Sequence, residues 1–126
     1  MPPTVLIVDD DAATRAALAV LLHAANYATA EAGDGREALA FLRAAGAPPA
    51  VVLLDLMMPG MTGWQFLARR AEDKALPAVP VVVLSGAPDI DEDMLRRMGA
   101  DDVLRKSATD AELLDALRRR CRPESS

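Results

Sequence analysis

Three short apolar runs stand out along the chain: Val5-Leu6-Ile7-Val8, Val51-Val52-Leu53-Leu54 and Val81-Val82-Val83-Leu84. They are continuous rather than alternating, which predicts strands buried on both faces of a parallel sheet. Each run stops on a polar residue: Asp9, Asp55 and Ser85 in turn. Between the runs, apolar residues recur at helical spacing. Leu18, Leu21, Leu22 and Ala25 share one face, as do Ala38, Leu39 and Leu42. Phe66, Leu67 and Ala71 form a third stripe, and Ile90, Met94 and Met98 a fourth. Two less apolar strands are predicted at Tyr27 to Glu31 and at Asp102 to Arg105.

Local signals set the boundaries. Asp34 with Glu37, and Thr109 with Glu112, have the spacing of capping boxes that open helices. Gly33, Gly46 and Gly99 stand where elements should stop, while Pro48-Pro49, Pro77 and Pro80 fill loops ahead of strands. The resulting order is strand-helix repeated five times. Right-handed crossovers turn such an order into an α/β doubly wound sheet with helices on both faces. Ligands of that architecture bind outside the carboxyl ends of the strands. Chemistry is therefore to be sought at those ends.

Composition supports one folded unit. The chain has 126 residues, close to a single domain. Of the 52% hydrophobic residues many are Ala, 25 in all, which fills helices more than it drives burial. Val, Ile, Leu and Phe still number 31 of 126, above the level at which disorder becomes the default. Lys and Arg total 14 against 19 Asp and Glu, a net charge of −5. That balance argues against a phosphate-backbone binder, so no direct nucleic-acid partner is expected. A single cysteine, Cys121, excludes an internal disulfide and continues the predicted helix face of Leu113, Leu114 and Leu117. No apolar run approaches the length of a membrane span, and Met1-Pro2-Pro3-Thr4 carries no signal-peptide pattern. A cytoplasmic protein without a membrane partner is expected.

The strand ends are chemically unusual. Asp9, Asp10 and Asp11 follow the first strand, Asp55 the third, Ser85 the fourth and Lys106 the fifth. The first, third and fourth strands are central in a doubly wound sheet, so their ends converge. Two carboxylates about 4 Å apart repel by about 4 kcal/mol at an effective dielectric near 20. A hard divalent cation relieves that repulsion, and Mg²⁺ takes one or two carboxylates together with phosphate oxygens. A carboxylate so placed can act as a nucleophile toward phosphorus. Asp9, Asp10 and Asp55 bring three negative charges, which Mg²⁺ and Lys106 balance. Ser85 can donate a hydrogen bond to a phosphoryl oxygen. Asp11 reads as a helix cap.

The segments Val5 to Asp11, Leu54-Asp55-Leu56-Met57-Met58-Pro59-Gly60-Met61-Thr62-Gly63, Val83-Leu84-Ser85-Gly86 and Gly99 to Lys106 resemble the receiver domain of two-component response regulators. The similarity spans about residues 4 to 121, with the domain placed at 4–122 and a frayed tail at 123–126. The resemblance implies a flavodoxin-like, five-stranded parallel sheet of order 2-1-3-4-5. It implies that Asp55 is the phosphoacceptor and that Lys106 and Ser85 contact the phosphoryl group. It also implies that Asp9, Asp10, Asp55 and the Met57 backbone carbonyl hold Mg²⁺, with Mn²⁺ as a substitute. The implied partners are a histidine kinase or phosphotransfer protein, and an effector or output domain meeting residues 86–121. The implied role is that of a signalling domain rather than an enzyme.

Three departures qualify the resemblance. Ser85 stands where the family often has Thr, and the hydroxyl is kept. Ser107 replaces the usual proline after the lysine, which predicts a trans bond and a less tightly fixed Lys106. Val103 replaces an aromatic that swings with phosphorylation, so any signal must travel by backbone or other packing in the 86–110 region. These last two leave open an interaction module not regulated by phosphorylation. A receiver fragment of a larger regulator is a further alternative. A phosphatase with an Asp nucleophile would need a second Asp where Met57 stands, and a nucleotide-binding fold would need a glycine loop in place of Asp9-Asp10-Asp11.

Overall fold

The structure is a computed structural model that describes residues 2–44, 46–87 and 89–121. Arg122 and the tail expected to fray at 123–126 lie outside the described residues. The strands are β1 (Thr4–Val8), β2 (Ala28–Ala32), β3 (Val51–Leu54), β4 (Val81–Ser85) and β5 (Asp102–Arg105). The helices are α1 (Ala12–Ala24), α2 (Gly35–Ala44), α3 (Gly63–Glu72), α4 (Glu92–Arg97) and α5 (Asp110–Arg120). All strand pairings are parallel, in the order β2-β1-β3-β4-β5. The expected alternation and sheet order are both present.

The apolar runs explain why the sheet is buried on two sides. Leu6 and Val8 of β1, Val52 and Leu54 of β3, and Val81 and Val83 of β4 join one cluster with residues of α2, α3 and α4. Their neighbours Val5, Ile7, Val51, Leu53 and Val82 join a second cluster with Ala19 and Leu22 of α1 and Leu113 and Leu117 of α5. Successive strand residues point to opposite faces, so a continuous run supplies both layers at once. Each fully buried Leu, Val or Phe contributes about 1.5–3 kcal/mol relative to exposure. Phe66 is the largest side chain with no exposed surface.

Caps are where local sequence decides most. Asp11 accepts the Ala13 amide and caps α1. Asp34 accepts the Glu37 amide at 2.8 Å as α2 opens. Thr109 and Glu112 form the reciprocal capping box expected at α5. A second box, Thr62 with Gln65, opens α3 and was not anticipated, although its spacing is the same. Gly99 follows α4 at φ +112°, a left-handed conformation open to glycine without strain.

Four helix-face expectations need correction. The stripe Ile90, Met94 and Met98 does not face the core from one helix, because α4 has only six residues and Ile90 precedes it. Leu95 is its buried position, while Met94 is exposed. Ala71 of α3 is exposed, the apolar contact of that helix being Phe66 and Leu67. Ala25 caps α1 from outside it. Cys121 likewise lies past the end of α5 as its C-cap, half-buried, rather than on the helix face. Strand edges move by one residue: β2 starts at Ala28, and β4 runs through Ser85. Among the described residues no helix is long and apolar enough to cross a membrane.

Candidate functional site

The strand register itself assembles the carboxylates. Val8 of β1 lies opposite Leu54 of β3, so Asp9 and Asp55 are the next residues on adjacent strands. The Asp55 amide donates to the Val8 carbonyl at 2.9 Å, and the Asp9 amide to the Ala32 carbonyl at 3.1 Å. Both side chains are buried, Asp9 at 3% and Asp55 at 5% exposure, whereas Asp10 is exposed. One carboxylate oxygen from each of Asp9, Asp10 and Asp55 lies within 4.8 Å of the others.

Lys106 closes the cluster from β5. Its Nζ is 3.6 Å from Asp9 Oδ2 and 3.6 Å from Asp55 Oδ1. Its backbone amide donates to the Ser85 carbonyl at 2.8 Å, which ties the lysine to the end of β4. The trans bond expected before Ser107 is present, since among the described residues no peptide bond is cis, and both the amide and the ammonium of Lys106 have partners.

Charge is poorly compensated at Asp55. Burial raises its carboxyl pKa above the usual range. Lys106 opposes that rise, Asp9 and Asp10 reinforce it, and the Met57 amide opposes it more weakly. That amide lies 3.4 Å from Asp55 Oδ1. The Met57 side chain is 60% exposed, so its sulfur has no part in the cluster. Asp9 is held from two directions: Oδ1 accepts the Asp11 amide at 2.9 Å, and its carbonyl accepts Arg15 Nη1 at 2.6 Å. Ser85 is fully buried, and its Oγ accepts the Ala87 amide at 3.1 Å.

The donor set fits a hard divalent cation. Three carboxylate oxygens converge, two of them on buried residues, and Lys106 is the cation that the structure pairs with them. Among the described residues no histidine or cysteine joins the cluster, which suits an oxygen-preferring ion such as Mg²⁺. Asp9, Asp10 and Asp55 would hold the ion.

Two supporting residues escaped the sequence reading. Arg15 bridges the Asp9 carbonyl and Glu31 Oε1, the latter at 2.9 Å, and so ties the ends of β1 and β2 together. Its position one turn past a cap gave no signal for that. Gly63 packs on the backbone beside Asp55, where an added Cβ would stand 2.7 Å from both the Asp55 carbonyl oxygen and Leu56 Cα. Its place in the Met-Pro-Gly-Met-Thr-Gly stretch was the available clue. His23 is exposed, with Nε2 2.9 Å from Thr29 Oγ1.

Comparison with known proteins matches this geometry to one family. A profile of the response regulator receiver domain matches residues 5–118. The DNA-binding response regulator MtrA of Mycobacterium tuberculosis is 37% identical over 123 residues, covering 97% of this chain and 52% of that protein. The phosphate regulon transcriptional regulatory protein PhoB of Pseudomonas aeruginosa is 34% identical over 127 residues, covering 98% of this chain and 55% of that protein. The chain thus spans about half the length of the curated relatives it matches. Among solved structures, the chemotaxis protein CheY4 of Vibrio cholerae matches with a TM-score of 0.83 at 30% identity, covering 95% of this chain and 99% of that one.

Proposed function

Because this chain belongs to the response regulator receiver domain family of two-component signalling, we propose that it accepts a phosphoryl group on Asp55 and thereby changes which partner it binds. The observation that carries the proposal is the setting of Asp55. It is buried, within 4.8 Å of oxygens of Asp9 and Asp10, and 3.6 Å from the Lys106 ammonium, which it shares with Asp9.

The donor is a phosphohistidine of a kinase or phosphotransfer protein. An Asp55 carboxylate oxygen forms the new bond to phosphorus as the bond from phosphorus to the imidazole nitrogen breaks, and the imidazole leaves. Such a transfer needs mainly positioning and charge neutralisation. Asp9, Asp10, Asp55 and the Met57 carbonyl would hold Mg²⁺, which when bound supplies neutralisation of phosphoryl oxygens. Lys106 stands close enough to Asp55 to pair with the transferred group. Ser85 has a hydroxyl proton left to donate, since its oxygen already accepts from Ala87. The domain signals rather than turns over substrate.

Partner exchange is assigned to the surface of residues 86–121, which carries α4, β5 and α5. A phosphohistidine donor places the domain in the cytoplasm, and its acidity suits a regulator of an output partner better than a direct contact to nucleic acid. Incubation with Mg²⁺ and acetyl phosphate, followed by intact mass measurement, should show a gain of one phosphoryl group. The gain should vanish in Asp55→Asn. An absent adduct, or one that survives that substitution, overturns the proposal.

A further inference from the structure

Val103 is a half-buried valine packed against the core, with no ring to swing. A path from Ser85 toward α4 exists nonetheless, and it runs through one residue of the loop. The Ala87 amide donates to Ser85 Oγ at 3.1 Å. The Ala87 carbonyl accepts Arg105 Nη1 at 2.7 Å. Nη2 of the same guanidinium lies 3.8 Å from Glu92 Oε2, in the first turn of α4. Arg105 itself sits opposite Ser85 in the β4–β5 register.

We propose that Arg105 is a positioning residue that couples the Ser85 hydroxyl to the first turn of α4 through the backbone of Ala87. The inference rests on the reading that Ser85 engages a phosphoryl group on Asp55. A serine oxygen has two lone pairs and one proton, and the Ala87 amide occupies one lone pair. When the hydroxyl turns to a phosphoryl oxygen, the amide bonded to it must move with it or lose its bond, because such bonds weaken steeply off line. Movement of Ala87 displaces the carbonyl that Arg105 grips. A guanidinium is a rigid planar fork, so the Ala87 carbonyl and the Glu92 carboxylate that it engages cannot be displaced independently. The half-exposed pair with Glu92 contributes little stability by itself. Its role is to carry orientation from the loop to the helix.

The test uses amide NMR spectra recorded with and without Mg²⁺ and acetyl phosphate, compared at equal adduct occupancy by mass. In the unsubstituted protein, phosphorylation shifts the Glu92 to Leu95 resonances. Arg105→Met keeps the aliphatic stem of an exposed side chain, so it should fold and gain the same adduct, yet lose those phosphorylation-dependent shifts. Ser85→Ala should lose the same shifts, and the double substitution should lose no more than either alone. If Arg105 were only structural, Arg105→Met would alter the resting spectrum while the phosphorylation-dependent difference persisted, which overturns the inference. Additive losses in the double substitution overturn it as well. An unsubstituted protein that gains no adduct overturns the underlying reading and this inference with it. An adduct with an α4 response independent of Arg105 overturns this inference alone.

Discussion

Replacing Asp55 by Asn in the metal-free protein should raise its thermal stability at neutral pH. The carboxylates of Asp9, Asp10 and Asp55 offer oxygens within 4.8 Å of one another. At that separation two like charges repel by about 3.5 kcal/mol at an effective dielectric near 20. Lys106, 3.6 Å from Asp55 and from Asp9, offsets part of this. Its side chain is 40% exposed, so solvent screens its attraction and the offset is discounted. The balance is visible in the Asp55 carboxyl, whose pKa is held above the usual range, by burial first and then by Asp9 and Asp10 against Lys106. A group whose folded pKa exceeds its unfolded value stabilises the fold while protonated. That contribution is complete below the unfolded value near 4 and is lost as pH rises through the folded value. At neutral pH the ionised Asp55 therefore destabilises the fold, and the neutral isostere removes the penalty. A net gain of about 1 kcal/mol corresponds to about 4 °C in a domain of this size.

The assay is thermal melting by circular dichroism with chelator present, from pH 3.5 to pH 8. Asp55→Asn should melt higher at pH 7, and the gap should close toward acid, where both side chains are neutral. Millimolar Mg²⁺ should shrink or reverse the gap, because the unsubstituted protein alone keeps the third carboxylate. A variant that melts at or below the unsubstituted protein at pH 7 refutes the reasoning. So does a gap that stays constant on acidification.

Mg²⁺ at ten times its dissociation constant should stabilise the unsubstituted protein by about 1.4 kcal/mol, read as a rise in melting temperature that Asp9→Asn diminishes. Gly63→Ala must push backbone atoms that its Cβ would approach to 2.7 Å, including the Asp55 carbonyl oxygen. It should cost about 1–3 kcal/mol and slow phosphorylation by acetyl phosphate, measured by melting and by the rate of mass gain. Phe66→Ala empties the largest fully buried position and should cost about 3–5 kcal/mol in urea unfolding.

The carboxylate cluster was legible because it depends on strand order and on the residue at the carboxyl end of each strand. Once Val5 to Val8 and Val51 to Leu54 read as parallel neighbours, Asp9 and Asp55 had to emerge side by side. Lys106 came by the same logic from β5. The features that escaped are set by three-dimensional approach rather than by period. Arg15 looks like any helix arginine until it reaches the Asp9 carbonyl and Glu31. Gly63 ends the Met-Pro-Gly-Met-Thr-Gly stretch, but spacing alone does not say that its missing Cβ makes room for the Asp55 peptide. The Ile90, Met94, Met98 stripe had the right spacing but too short a helix to present it, since Gly99 stops α4 after Met98.

The net charge of −5 is not spread evenly, and the topology says why. Every helix begins near the carboxyl end of a strand and runs back to the opposite edge, so the helix N-termini gather at the end that carries the site. Asp11 and Asp91 cap α1 and α4 there, and Glu37, Glu92, Asp93, Asp110 and Glu112 occupy first turns. The last turns at the far edge hold Arg43, Arg69, Arg70, Arg96, Arg97, Arg118, Arg119 and Arg120. Each placement suits the helix dipole by about 0.3–1 kcal/mol, so helix stability by itself favours an acidic pole around Asp55. The phosphodonor proposed for Asp55 is anionic and would meet that pole first. The feature that stabilises the helices would thus oppose the proposed chemistry unless positive charge is supplied at the carboxylates. Lys106 supplies one unit, against three from Asp9, Asp10 and Asp55. A divalent cation would supply the remaining two, so the proposed affinity for metal would draw on how the whole fold distributes its charge as well as on the three side chains that would bind it.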